Sequence, residues 1–219
     1  MRLPSPSLRA ATLALLVAAS PAHAGPWPAV PGAGFASVTL GAERSAAGVR
    51  PSGLVALYAD YGLRPGIAFS AWAEGRSGAA VSSRAHAGLR WHPWGEERLV
   101  GLGAAVATRG GVAALRLETH AGRPIGRGAP GWARAGLALE AWGTGPEAEL
   151  SLQAGLRPGS RAIVMLDLSA HHGPNGATRR AGLSAGWRLG GTSELVLGLS
   201  RATGAGAGDR VSLSLWRRF

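Results

Sequence analysis

The stretch SAHHGPNGAT, Ser169 to Thr178, gathers the residue types most readily turned to chemistry: a serine, two histidines and an asparagine. A serine nucleophile must lie within hydrogen-bond reach of its histidine base. Ser169 stands two residues before His171, which on an extended chain puts both on one face. His171 and His172 are adjacent, so on a strand they point to opposite faces and cannot share a metal ion without a bend. The competing reading is a polar Gly-Pro-Asn-Gly hairpin loop. The glycine-rich stretches GAGF (32–35), GTGPE (143–147) and GAGAG (204–208) are turns and not phosphate loops, because no helix follows whose N-terminus could hold an anion. No cofactor or metal is expected from any of these motifs.

The larger chemical resource is charge placed at every second position. Residues 112–120, VAALRLETH, set Ala113, Leu115, Leu117 and Thr119 against Arg116, Glu118 and His120. Residues 132–142, WARAGLALEAW, set Ala133, Ala135, Leu137, Leu139 and Ala141 against Arg134, Gly136, Ala138 and Glu140. Segments 35–43 and 147–157 repeat the pattern. Period-two alternation marks strands, since successive side chains point to opposite sheet faces.

Applied from residue 34 onward, this reading places strands near 34–44, 53–61, 66–76, 81–92, 98–108, 112–121, 132–142, 147–157, 160–171, 178–189, 193–202 and 209–219. Each is roughly 9 to 12 residues, longer than an ordinary soluble strand and matched to a tilted bilayer crossing. Tight Gly and Pro turns separate them, among them LRPG (63–66), RGG (109–111), RPGS (157–160) and GGT (190–192). The fold expected is all-β: a closed antiparallel transmembrane β-barrel of twelve strands, with ten or fourteen as alternatives. Lipid offers the backbone no hydrogen-bond partner, so strands that cross it must close into a ring. A soluble periplasmic β-sandwich or solenoid is the bland alternative, but its solvent face would carry more charge.

The leader MRLPSPSLRAATLALLVAASPAHA has basic residues, an apolar stretch from Ala10 to Ala19 and the small-residue site Ala22-His23-Ala24. It reads as a signal peptide over residues 1–24 with the barrel domain at 25–219. Without cysteine, the exported chain relies on backbone pairing and burial, not disulfides. The net charge of +11 comes from arginine alone, 23 residues against 12 Asp+Glu. Loss of the leader with Arg2 and Arg9 leaves 21 − 12 = +9. Such a charge invites a nucleic-acid partner, which export argues against.

The parity opposite to the apolar face lines the expected lumen: Arg76, Arg84, Arg90, Arg116, Glu118, Arg134, Glu140, Arg180 and Arg188, with Glu74, His86, His120, Glu149, Arg157, Arg161, Asp167 and Glu194. A barrel of this size could hold a narrow aqueous pore, which the arginine excess would bias toward anions, or could be closed by Arg–Glu pairs across neighbouring strands. Seven tryptophans, Trp72, Trp91, Trp94, Trp132, Trp142, Trp187 and Trp216, fall mostly near strand ends, where interfacial girdles would place them.

The sequence finishes on VSLSLWRRF, where Val211, Leu213, Leu215 and Phe219 share one face. This ending resembles that of the Gram-negative outer-membrane β-barrel proteins, whose terminal aromatic is read by the barrel assembly machinery; Arg217 departs from the aromatic often found two residues before the end. The resemblance implies residence in the outer membrane of a Gram-negative bacterium, with both termini periplasmic, and outer-membrane lipids, lipopolysaccharide and the assembly machinery as partners. It also implies a porin-like channel for small solutes or a non-conducting accessory barrel, neither of them an enzyme. The stretch around His171 resembles the His-x-Ser-Asn motif of outer-membrane phospholipase A and the lipid A deacylases, but Gly173 stands where their serine would be. A lipid-modifying hydrolase is therefore the third alternative.

Overall fold

Alternation becomes twelve antiparallel strands: β1 (Gly34–Ser45), β2 (Ser52–Arg64), β3 (Ile67–Arg76), β4 (Ser82–Trp91), β5 (Leu99–Arg109), β6 (Val112–Ile125), β7 (Gly131–Trp142), β8 (Gly145–Leu156), β9 (Ala162–Gly173), β10 (Gly176–Gly190), β11 (Ser193–Gly204) and β12 (Gly208–Arg218). The structure, a computed structural model, describes residues 30–45, 51–77, 82–93, 99–125, 131–205 and 207–219. The expected leader and Trp94 lie outside the described residues. Each strand pairs with its neighbours in sequence, and β1 pairs with β12, so the sheet closes without an edge. Strands of about 12 residues rise roughly 40 Å, and a tilt near 40° turns that into about 30 Å of height, the thickness of a bilayer core.

The closing seam shows why the final residues are ordered. Phe35 pairs with Arg218, Leu40 with Leu213 and Ser45 with Gly208. Beyond the last strand residue, Gly34 N–H donates to Phe219 O at 2.6 Å and Phe219 N–H donates to Gly34 O at 3.0 Å. A Cβ at position 34 would stand 2.5 Å from the Phe219 ring, so glycine is required there for the ring to lie across the seam.

Tight hairpins make several strands longer than the alternation suggests. Arg109 and Val112 remain paired around Gly110 and Gly111, whose φ values of 55° and 85° suit a turn with two left-handed residues. The β9–β10 hairpin likewise pairs Gly173 with Gly176 around Pro174 and Asn175.

Burial is inverted relative to a water-soluble domain. Every strand presents exposed apolar side chains on the outer wall, such as Leu40 at 57% and Leu199 at 56%, whereas Glu194 inside is 2% exposed. Leaving so much Leu and Val outward is tolerable only where the surroundings are themselves apolar. The tryptophans depart from the girdle expectation: Trp91 and Trp187 face outward, but Trp132 and Trp142 are buried inside. Trp72 and Trp216 also share the inward parity, Trp72 stacking on His86 and Trp216 meeting Phe35 edge-on. The reason is strand parity, which assigns a side chain to one wall whatever its preference for an interface.

Candidate functional site

The inward faces build a lumen that differs along its length. At the end away from the termini, Glu43 on β1 collects three arginines: Arg180 at 2.7 Å, Arg210 at 3.0 Å and Arg76 at 3.1 Å. Across the barrel, Glu140 on β7 accepts from Arg84 and Arg116, each at 2.6 Å, and from the Trp142 indole N–H at 2.9 Å. Glu147 on β8 takes a two-pronged grip from Arg109 at 2.7 and 2.5 Å, and Arg109 itself lies over the Trp142 ring at 4.5 Å. Arg116 also reaches Glu118 at 3.3 Å. The register explains these clusters: Arg116 is directly opposite Glu140, and Arg84 opposite Arg109, so like-charged neighbours reach across to shared carboxylates.

Deeper in, Arg90 pairs with Asp60 and donates to Tyr58 Oη at 3.1 Å, while Tyr58 donates to Asp60 at 3.0 Å. Trp72 and His86, opposite each other on β3 and β4, stack with ring centroids 5.4 Å apart. Gln153 donates to Asp167 at 2.7 Å and accepts from the Trp132 indole at 3.3 Å. Of these groups Tyr58, Trp72, His86, Arg90, Gln153 and Asp167 line a cavity of about 710 Å³.

The cavity has two unlike walls. Strands β3, β4, β6 and β7 contribute Arg76, Arg84, Arg90, Arg116 and Arg134 together with the Trp72–His86 pair; β8 to β12 contribute five serines and two glycines along with Glu149, Gln153, Asp167 and His171, and Arg180 and Arg210 toward the mouth. Seven arginines and four carboxylates, Glu74, Glu118, Glu149 and Asp167, stand on the lining. Glu43, Asp60 and Glu140 beside it pair six of those arginines, which leaves Arg134 as the lining arginine with no carboxylate at ion-pair distance among the described residues. The serine hydroxyls offer hydrogen bonds in both senses.

Toward the terminal end an apolar floor narrows the lumen. Trp132, Ile163, Met165 and Val196, each under 5% exposed, pack together with Trp216 against them. They come from β7, β9, β11 and β12, so this floor is built from one half of the ring. Close by, Glu194 is held by Arg157 at 2.8 Å, Arg218 at 3.1 Å and Arg188 at 3.8 Å.

Of the lumen residues expected from sequence, Arg76, Arg84, Arg90, Arg116, Glu118, Arg134 and Arg180 lie on the cavity wall, Glu140 is buried among their side chains, and Arg188 sits below the floor with Glu194. Arg161 is instead exposed in the β8–β9 turn. Arg109 and Glu147 escape the alternation because each abuts a turn, and Glu43, Asp60, Arg210 and Arg218 are found by extending the inward parity of β1, β2 and β12. Val211, Leu213 and Leu215 are on the outer wall. His171 faces the lumen and hydrogen-bonds Glu147 at 3.1 Å, while Ser169 lies one strand repeat away, about 6.6 Å, beyond hydrogen-bond reach. His172 is exposed on the opposite face.

A closed antiparallel barrel with an apolar outer wall and a charged interior is the architecture of transmembrane barrels. No family model and no curated protein matches the chain. Among solved structures, the KdgM porin in complex with disordered oligogalacturonate is similar with a TM-score of 0.62 at 9% identity, over 84% of this chain and 99% of that one. The NanC porin gives 0.62 at 7% identity, over 82% and 98%. An outer membrane channel from Pseudomonas putida F1 gives 0.57 at 12% identity, over 91% and 100%. At these identities the likeness is one of fold.

Proposed function

We propose that this protein resides in the outer membrane, exported by a cleaved leader, and works as a narrow porin-like channel for small anionic solutes. The observation that carries the reading is the 710 Å³ cavity lined by seven arginines, with Arg134 left without a carboxylate at ion-pair distance among the described residues. With both termini in the periplasm, the open part of the lumen faces outward and the apolar floor lies on the periplasmic side. Fixed positive charge in a confined, partly desolvated space favours anions over cations. Carboxylate-bearing saccharides are the solute class to test first. Guanidiniums would take the carboxylates, the Trp72–His86 stack a sugar face and the serines the hydroxyls, and the KdgM porin structure holds such a ligand. No enzymatic role is proposed. The terminal strand, through Val211, Leu213, Leu215 and Phe219, would serve recognition by the barrel assembly machinery.

The apolar floor favours a second reading, a non-conducting accessory barrel. Planar-bilayer recording under a salt gradient separates the two. Discrete channels with an anion-selective reversal potential are expected; a heat-modifiable, bilayer-inserted protein that shows no conductance would overturn the channel.

A further inference from the structure

Among the described residues, the outer wall gathers its far-end charges on one arc. Among the described residues, outward-facing ionisable side chains at the end away from the termini are His172 on β9, Arg179 on β10, Arg201 on β11, Asp209 on β12 and Arg44 on β1, all exposed. Strands β2 to β8 place Gly, Ala, Ser, Thr or Pro at the corresponding outward positions. The register brings the arc together. Arg44 is opposite Asp209, Asp209 is opposite Arg201, and Arg201 is opposite Ala181, two residues from Arg179. At about 4.8 Å per strand, Arg44 and Arg201 are roughly 10 Å apart at the backbone, within reach of one ligand for two such long side chains.

Asp209 accepts two bonds from Arg201, at 2.7 and 3.1 Å. Three guanidiniums against one carboxylate leave two positive charges on a surface that is otherwise apolar. Directly below, the same strands present an unbroken hydrophobic wall, including Leu199, Leu197, Val211 and Leu213, whereas the wall at β3 and β4 is alanine-rich, with Ala71, Ala73, Ala85 and Ala87. Cationic groups above a leucine surface complement a molecule that carries phosphate above acyl chains.

We propose that the arc formed by Arg44, Arg179 and Arg201 is a docking site for a phosphate-bearing glycolipid of the outer leaflet, lipopolysaccharide, with its acyl chains against β11 and β12. This rests on the outer-membrane reading above. Arginine suits the role because its planar fork grips phosphate oxygens two at a time. Asp209 holds Arg201 outward at the headgroup level, and its own charge opposes the phosphate.

The test uses the full mature chain folded into phosphatidylcholine vesicles, with binding of lipopolysaccharide followed by native mass spectrometry after release into detergent. R44Q/R179Q/R201Q should bind roughly a hundredfold more weakly, from about a fivefold loss per arginine near an anionic surface. Lipopolysaccharide stripped of its phosphates should bind the wild type as weakly as that variant binds the intact lipid, and D209N should bind more tightly than wild type. Equal binding by wild type and triple variant, or equal binding of phosphorylated and stripped lipid, overturns the site while leaving the barrel intact. A wild-type chain that fails to enter vesicles and shows no heat-dependent mobility overturns the membrane reading and this proposal with it.

Discussion

Removal of Trp132 should widen the lumen of the proposed channel at its terminal end. Trp132 is 4% exposed, packs with Ile163, Met165 and Val196, and donates its indole N–H to Gln153 at 3.3 Å. In a compact core a Trp→Ala truncation costs about 3–5 kcal/mol, which bounds the loss of barrel stability. The void left behind takes several waters at roughly 30 Å³ each. The amide of Gln153, freed of its indole partner and next to Asp167, supplies the polar anchors that water needs. Water then occupies the space beside the charged cavity that the Trp132 ring had filled. W132A should therefore raise single-channel conductance severalfold while keeping anion selectivity, since no charge has changed. W187A is the matched control: the same residue type near the same end, but 55% exposed on the outer wall, and its conductance should equal wild type. Both variants must first show the heat-dependent mobility shift of a folded barrel. A folded W132A with wild-type conductance would refute the assignment of the apolar cluster as the constriction.

The Glu194 cluster should govern stability at the same end. E194Q leaves Arg157, Arg188 and Arg218 facing one another in a buried site and should cost about 3–5 kcal/mol in urea unfolding from vesicles, whereas R188Q, with a 37% exposed side chain 3.8 Å from the carboxylate, should cost under about 1 kcal/mol; equal losses would refute the network. R134Q removes a cation from the cavity wall and should shift the reversal potential toward cations, and an unchanged potential would show that Arg134 does not contribute to selectivity. F219A keeps both main-chain bonds to Gly34 and should unfold much like wild type once assembled, yet its amount in the outer membrane should fall severalfold; undiminished amounts would contradict recognition of the terminal aromatic.

The fold was legible because its constraint is local. A lipid-facing strand must alternate, each alternation is visible within ten residues, and glycine pairs such as Gly110–Gly111 mark where the chain reverses. Closure also follows locally, since an unpaired edge in lipid is excluded whatever the side chains. What alternation cannot supply is the depth at which residues from distant strands meet. Glu43 and Arg180 are 137 positions apart and meet because closure at the β1–β12 seam sets β1 three registers from β10, through β12 and β11, not because of any neighbouring motif.

The floor illustrates the harder half of the problem. Parity places Trp132, Ile163, Met165, Val196 and Trp216 inside, but parity alone says nothing against water around them, and inward-facing apolar residues break the polar-in pattern at these and other scattered positions, among them Leu54, Trp72 and Trp142. Each departure is unremarkable by itself. Once the strands are set in register, the five that build the floor fall at the terminal end, next to the buried carboxylate of Glu194 and its three arginines. An apolar cluster inside an otherwise charged lumen leaves less room for water beside it. In the proposed channel, conductance would therefore depend on the packing of Trp132 against its neighbours more than on the lining arginines, most of which are held by carboxylates.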